Sequence, residues 1–452
     1  MGSSSLKVEN ARFILTVDDE RRIIADGAIL VEDGVITGVG KSADLRATGA
    51  DRVIDAADMV VTPGFTNGHM HISYAHAVRG IFPDDVKDRL AYVFKMQFVM
   101  TAEEERDTSL LAAVELLKGG TTNIVDPGST KYIEACLDAY NEAGIRVVTG
   151  EHVTDRENST NLPVYDTAEA IRRMEDTVER FDGKLDGRVR SWTMPFSAAN
   201  CSDEVLVAAK EIAERHHTMM TLHHFGGRRR PDGRLPTQHL ADIGVLGPGL
   251  LLAHGMGLEP EEVELIAESG ATVAMLPPTV LKGAMGLKEG GTLPELLERN
   301  VPVALGTDSV NSSNYSDMVR VMGLTATAYK DARRDDTVIP AETAVELATL
   351  NGARALGRGS DLGSIEVGKR ADFVLFDTRR PEWQALNEPV NNLVYSADAS
   401  SVHTVVVDGL VVVDDHKVPR LDEWRLIQRV AEIGERIRER TGVSFPSRWP
   451  VV

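Results

Sequence analysis

Four short stretches of this chain place imidazoles or a carboxylate directly after an apolar run: "NGHMHISYAH" from Asn67, "TLHHFGG" from Thr221, "LLAHG" from Leu251 and "ALGTDS" from Ala304. His69 and His71 stand two apart. In an extended segment, residues i and i+2 project to one side, so two rings can approach one cation at the ~2.0–2.1 Å bond length of zinc–imidazole contacts. With 12 histidines in the chain, such a pair alone carries little. A histidine at the end of two further apolar runs and Asp308 at the end of another make a joint pattern that chance seldom produces. The chemistry it suggests is a divalent metal that activates water for hydrolysis. In "TLHH" the two-residue period of a strand allows either His223 or His224 to face inward, and periodicity does not choose between them.

These residues need a frame that brings four run ends to one rim. Eight apolar segments have buried-strand length and turn residues at their borders: "VVTPGF", "TTNIVD", "IRVVTG", "VRSWTMP", "MMTLHH", "LLLAHG", "TVAMLPP" and "VPVALGTDS". Amphipathic segments separate them, which predicts an α/β fold, a (β/α)8 TIM barrel over residues 62–362. "TAEEERDTSLLAAVELLKGG" predicts a helix opened by a Thr101/Glu104 capping box and ended at Gly119, with Leu110, Leu111, Val114 and Leu117 facing the sheet. "PAETAVELATLNGARALG", 340–357, predicts the closing helix. Residues 6–61 and 363–420 read instead as short strands with Asp33-Gly34 and Asp408-Gly409 turns, and predict one β-sandwich built from both termini. Residues 421–452 form a helix and tail. Leu426, Val430, Ile433 and Ile437 recur there at helical spacing, as in a docking helix.

Composition narrows the function. The 452 residues carry 49 Lys+Arg against 69 Asp+Glu, a formal charge of −20 that repels phosphate backbones and anionic membranes. Neither nucleic acid nor a membrane is an expected partner; a small molecule is, with self-association into a homo-oligomer. Cys136 and Cys201 are too few for a disulfide framework, and no apolar run reaches membrane-spanning length, so a cytoplasmic location is expected. The opening Gly-Ser-Ser-Ser run reads as an appended tag. Arg228, Arg229 and Arg230 read as a solvated loop.

The order "VVTPGFTNGHMH", a histidine after the fifth run, "LLAHG" and "LGTDS", flanked by "GSIEVGKRADFVLFD" and "VVVDG", resembles the amidohydrolase superfamily over about residues 6–420. The resemblance implies one divalent metal held by His69, His71, His223 and Asp308, with His254 beside the substrate, and it selects His223 over His224 as the ligand. Zinc is the leading metal, with iron, cobalt or manganese able to serve. "VRSWTMPFS" has no lysine to match the carbamylated bridge of binuclear relatives, so one metal is expected. Ring deaminases of this branch carry a glutamate three residues after the strand-five ligand. Here that position is Gly226, which cannot protonate a heterocycle.

"HISYAHAVRGIFPDD", "DPGSTKY" and "DTRRPEWQALNEPVNNLVYSAD" resemble, more narrowly, the phenylurea and molinate hydrolases. The expected reaction is therefore hydrolysis of the carbonyl C–N or C–S bond of an N-substituted urea, carbamate, thiocarbamate or amide, such as a phenylurea herbicide. Asp308 would take the proton of the attacking water and His254 would hydrogen-bond the carbonyl oxygen. Tyr74, His76 and His224 are expected substrate contacts; Asn123 and Asp126 are not expected ligands. The alternatives are a deaminase or chlorohydrolase of a nitrogen heterocycle, of triazine or purine type, and a non-catalytic scaffold on the same fold.

Overall fold

The computed structural model describes residues 5–157, 161–419, 421–450 and 452. Residues 2–4 of the Gly-Ser-Ser-Ser run lie outside them. Among the described residues, eight short parallel strands make the barrel: β1 Phe65–Asn67, β2 Thr121–Val125, β3 Arg146–Thr149, β4 Val189–Ser191, β5 Met220–Phe225, β6 Leu250–Met256, β7 Thr272–Met275 and β8 Val303–Leu305. They pair in the orders β4-β3-β2-β1 and β5-β6-β7-β8. Bridges Thr193–Met220 and Ser197–His223 join β4 to β5, and the Gly68 N–H donates to the Leu305 carbonyl at 2.8 Å where β8 meets β1. Covered on both faces, the strands are almost wholly buried, as parallel sheets are. Ala253, Ala274 and Ala304 are fully buried in the interior.

The expected first strand is split. Met59–Pro63 pairs with Phe373–Asp377 and Ser5–Leu15 in the terminal sheet, and only Phe65–Asn67 enters the barrel. Pro63 has no N–H to continue a ladder, and at Gly64 a Cβ would collide with the Thr122 side chain. The closing helix is also two pieces, Ala341–Ala348 and Leu350–Ala355. The break falls at Thr349, whose hydroxyl bonds back to the Val345 carbonyl at 2.6 Å, a contact that competes with helical pairing.

The terminal strands form one continuous sheet, in the order 410–413, 402–407, 373–377, 59–63, 5–15, 23–32, 35–41, with 52–55 also beside 5–15. Register shifts, such as those between Val8 and Ala11 and between Leu30 and Val31, bend it around its own core of Val8, Ile14, Ile29, Val61, Phe373 and Val406. Both Asp-Gly turns have two positive φ angles, 48° and 79° at 33–34 and 52° and 74° at 408–409, as type I′ hairpins need.

The helix Ala102–Lys118 has the expected Thr101/Glu104 capping box and buries Leu110, Val114 and Leu117, with Leu111 partly covered. The C-terminal helix Glu423–Thr441 docks within the chain, burying Leu426, Val430, Ile433 and Ile437, and sends Arg436 and Arg440 to Glu104. No helix among the described residues is long and apolar enough to cross a membrane.

Candidate metal and active site

The rim at the C-terminal ends of β1, β5, β6 and β8 gathers five of the residues singled out by the sequence. The ring of His69 lies 5.0 Å from those of His71 and His223 and 5.3 Å from that of His254, measured between centroids. Potential ligand atoms of His69, His71 and His223 fall within 4.8 Å of one another. Asp308 completes the group, with Oδ1 3.6 Å from His71 Nε2.

The backbone explains why these side chains meet. Asn67 ends β1 and accepts from the N–H groups of His69 and Thr307, at 3.3 and 3.2 Å, while its amide donates to Thr307 Oγ1 at 2.8 Å. The Asp308 N–H then donates to the His69 carbonyl at 3.0 Å. At Gly306 a Cβ would sit 3.0 Å from His69 N and O, so glycine permits this approach. His254 and Asp308 both adopt left-handed backbone, φ 77° and 58°. Such conformations persist where surrounding contacts over-determine them, which is common at working sites.

The two strand-five histidines separate cleanly. His223 Nδ1 lies 3.0 Å from the Phe196 carbonyl, which can only accept, so Nδ1 carries the proton and Nε2 is left for the cluster. His224 points the other way. Its Nε2 is 2.9 Å from Thr237 Oγ1, whose hydroxyl donates to Glu262 Oε1 at 2.8 Å; with that hydrogen committed, His224 must be the donor. His224 is thus outside the cluster, a correction to the expected substrate contact. So is His76, whose Nε2 lies 2.9 Å from Glu115, a carboxylate also held by Arg79 and by Ser316 Oγ. The helical turn at Ala75–Val78 swings its ring away from the rim. Tyr74 stays close, its ring 6.2 Å from that of His71, and burial followed by the Asp308 charge pushes its phenol up.

Gly226 has a structural reason. A Cβ there would stand 2.6 Å from Glu262 Oε2 and 2.7 Å from Leu258 Cα. Glu262 is fully buried and accepts from Thr237 N and Oγ1, Gly227 N and Glu259 N at 2.7–3.0 Å. All four bonds organise the loop and leave the carboxylate no free role as an acid.

Electrostatics suit metal ligation, which requires neutral imidazoles. Burial, then neighbouring imidazoles, holds His69 far below its ordinary value. Burial, His254 and His71 push His223 down to about 3, and burial takes His254 down to about 4. Burial alone would raise Asp308, but His254 and His71 outweigh it, and Ser309 N (2.7 Å) and Thr279 Oγ1 (3.0 Å) donate to its oxygens, so it stays ionised. Both ring nitrogens of His69, and Nδ1 of His71 and of His254, are buried without a protein partner among the described residues. Buried polar atoms are rarely left so, and this set of donors fits one divalent ion.

Sequence reasoning passed over several neighbours. Thr279 lies in the short helix after β7. Phe196 packs 4.6 Å from His223, and Phe225 stacks 4.6 Å over His254 while remaining 46% exposed. His152, just beyond β3, brings its ring 5.4 Å from that of His223 and 6.1 Å from that of His71. Its one available signal was position: an imidazole two residues after a strand-ending Gly. Asp126 is buried behind the rim, bound by Ser129 and Thr130.

Barrel, terminal sheet and rim define the class: residues 60–412 match the amidohydrolase family, and the chain belongs to it. It is a hydrolase acting on carbon–nitrogen bonds other than peptide bonds. The chain is 33% identical to 5-methylthioadenosine/S-adenosylhomocysteine deaminase of Syntrophobacter fumaroxidans, over 97% of this chain and 100% of that one. Among solved structures it resembles a zinc-bound adenosine deaminase from Xanthomonas campestris (27% identity, TM-score 0.87, 96% and 99% coverage). It shares its fold with the zinc-complexed atrazine chlorohydrolase of Arthrobacter aurescens TC1 (22% identity, TM-score 0.85, 95% and 100% coverage). These relatives support the superfamily and lend no support to the narrower phenylurea and molinate hydrolase grouping.

Proposed function

We propose that this chain is a mononuclear metal-dependent deaminase that removes the exocyclic amino group of an adenosine-type nitrogen heterocycle. The carrying observation is the cluster of His69, His71, His223, His254 and Asp308 at the rim of a fold shared along nearly its whole length with deaminases of adenosine derivatives. This displaces urea and carbamate hydrolysis as the leading reading.

His69, His71, His223 and Asp308 would hold the ion, zinc in first place, with iron, cobalt or manganese compatible with the same donors. A divalent ion held there would lower the pKa of a water toward about 7 and so supply a nucleophile near neutral pH. Asp308, ionised and fixed by Ser309 and Thr279, would accept the proton of the attacking water as its oxygen adds to the ring carbon and the C=N π pair moves to the adjacent ring nitrogen, to return when the amine departs. It then returns the proton to the departing amine, which leaves as ammonia. His254, held in a strained backbone and covered by Phe225, hydrogen-bonds the developing charge. Phe225 and Phe196 offer flat apolar surface to a ring.

A second reading rests on Gly226. With no acid at that position and none that could be added without displacing Glu262, a carbonyl substrate, which needs no ring protonation, suits the same rim. That is the C–N bond of an N-substituted urea, carbamate or amide. One experiment separates the two: zinc-loaded protein given 5′-deoxyadenosine, 5-methylthioadenosine, an aminotriazine, a phenylurea and an anilide, with products read by mass spectrometry. Ammonia with a purine gaining oxygen in place of nitrogen supports deamination. Free aniline with untouched purines refutes it in favour of the second reading.

A further inference from the structure

Among the described residues, neither ring nitrogen of His152 has a hydrogen-bond partner, and both are buried. The residue as a whole keeps partial exposure. Its ring is set edge-on against Phe196, centroids 5.1 Å apart and planes at 85°, and lies 5.4 Å from the His223 ring. The backbone fixes this placement. The His152 N–H donates to the Gly128 carbonyl at 3.1 Å, and the short strand His152–Val153 pairs with Met194–Pro195. Gly128, at φ 100°, lets the loop after β2 pass so close that a Cβ there would come 2.6 Å from His152 N and 2.8 Å from its ring Cδ2. Burying a polar ring with both nitrogens unmatched is costly unless a ligand completes it.

The other unmatched rim nitrogens belong to His69, His71 and His254, which the metal and substrate account for. His152 stands one ring further out, past His223, on the side where Phe94 packs 5.8 Å from Phe196 and forms an apolar wall. A neutral imidazole offers one N–H donor and one acceptor nitrogen. That pair matches a planar group whose acceptor heteroatom lies beside the reacting carbon, with a flat apolar body to rest against Phe196.

We infer that His152 is a substrate-contact residue: its imidazole N–H donates to an acceptor heteroatom adjacent to the reacting carbon, a ring nitrogen in a purine or an oxygen in a carbonyl compound, and orients that carbon toward the metal-binding histidines. The inference rests on the rim being the reaction centre, not on which substrate class it takes.

The test compares zinc-loaded wild type, His152→Gln and His152→Phe on whichever panel compound the wild type converts, with zinc per chain measured alongside. The expected result is unchanged zinc in all three, and a fall of about 10- to 100-fold in kcat/KM for His152→Phe, the scale of a lost hydrogen bond to a reacting group. KM should carry most of it. His152→Gln, which retains a donor, should recover part of the loss. Should His152→Phe fail to fold, His152→Gln and His152→Ala make the same comparison. Unchanged kcat/KM in the variant lacking a donor overturns the inference, and so does loss of zinc, which would make His152 a ligand. A wild type inactive on the whole panel sinks the reading of the rim and this inference with it, an outcome plainly different from an active wild type indifferent to position 152.

Discussion

Two buried polar regions of this molecule are built on opposite rules. At the base of the barrel, Arg146 of β3 reaches into the terminal sheet, where its Nε and Nη2 donate to Asp372 at 2.7 and 3.0 Å and a further contact goes to Asp408. The Asp408 N–H in turn donates to Asp372 Oδ1 at 2.9 Å. That network is almost wholly enclosed and its charges answer one another. At the rim, four histidines crowd within a few ångströms, several ring nitrogens have no partner among the described residues, and two residues sit in left-handed backbone. The base is satisfied by the chain alone; the rim, among the described residues, is not. Buried polar groups left unmatched cost stability, so their concentration at one end of the barrel marks the working end.

The contrast can be broken by substitution. Asp308→Asn keeps the shape but removes the proposed proton acceptor, and should lower kcat by roughly 10³-fold or more; steady-state rates on the converted substrate read this. His254→Ala should cost about 10²- to 10³-fold in kcat with zinc retained, the scale of losing one donor to developing charge. Arg146→Ala acts at the other end. It leaves buried Asp372 without its cation, while Asp408 keeps Arg370, and should destabilise by about 3–5 kcal/mol in denaturant titration, while kcat per folded molecule stays near that of wild type. A large loss of kcat at wild-type stability would erase the distinction between base and rim.

Acid should act more gently, on His254 of the rim and on His224 outside it. Burial depresses His224 and His254 to about 4 in the folded chain, against about 6.5 unfolded. A group whose folded pKa is depressed contributes stability that is complete above the unfolded value and is lost as pH falls toward the folded one. Metal-free protein should therefore lose Tm between about pH 6.5 and 4, and a flat Tm across that window would contradict the buried, neutral imidazoles.

Much of this was legible in the sequence, and the failures have physical causes. Eight apolar runs and the ligand types at their ends placed the barrel and four of its rim positions. Hydropathy could not show that Gly64 divides the first run between two sheets, because that depends on the Thr122 side chain across the gap. Nor could a two-residue period choose between His223 and His224; the choice is made by the Phe196 carbonyl, 27 residues away, which takes the Nδ1 proton of one, and by Thr237, which holds the other. His76 looked like part of the metal pair's neighbourhood only in sequence, since a turn carries it to Glu115. His152 escaped notice because a lone histidine in "GEHVTD" has no repeated spacing to mark it. Gly226 was visible as a missing acid, but the crowding by Glu262 and Leu258 that makes it a glycine was not.

The most direct test is metal content after reconstitution with zinc, measured on wild type, His223→Ala and His224→Ala side by side. One zinc per chain in wild type and in His224→Ala, with none in His223→Ala, is the predicted result. Zinc retained by His223→Ala and lost by His224→Ala would contradict the inward-facing assignment on which the rim is built.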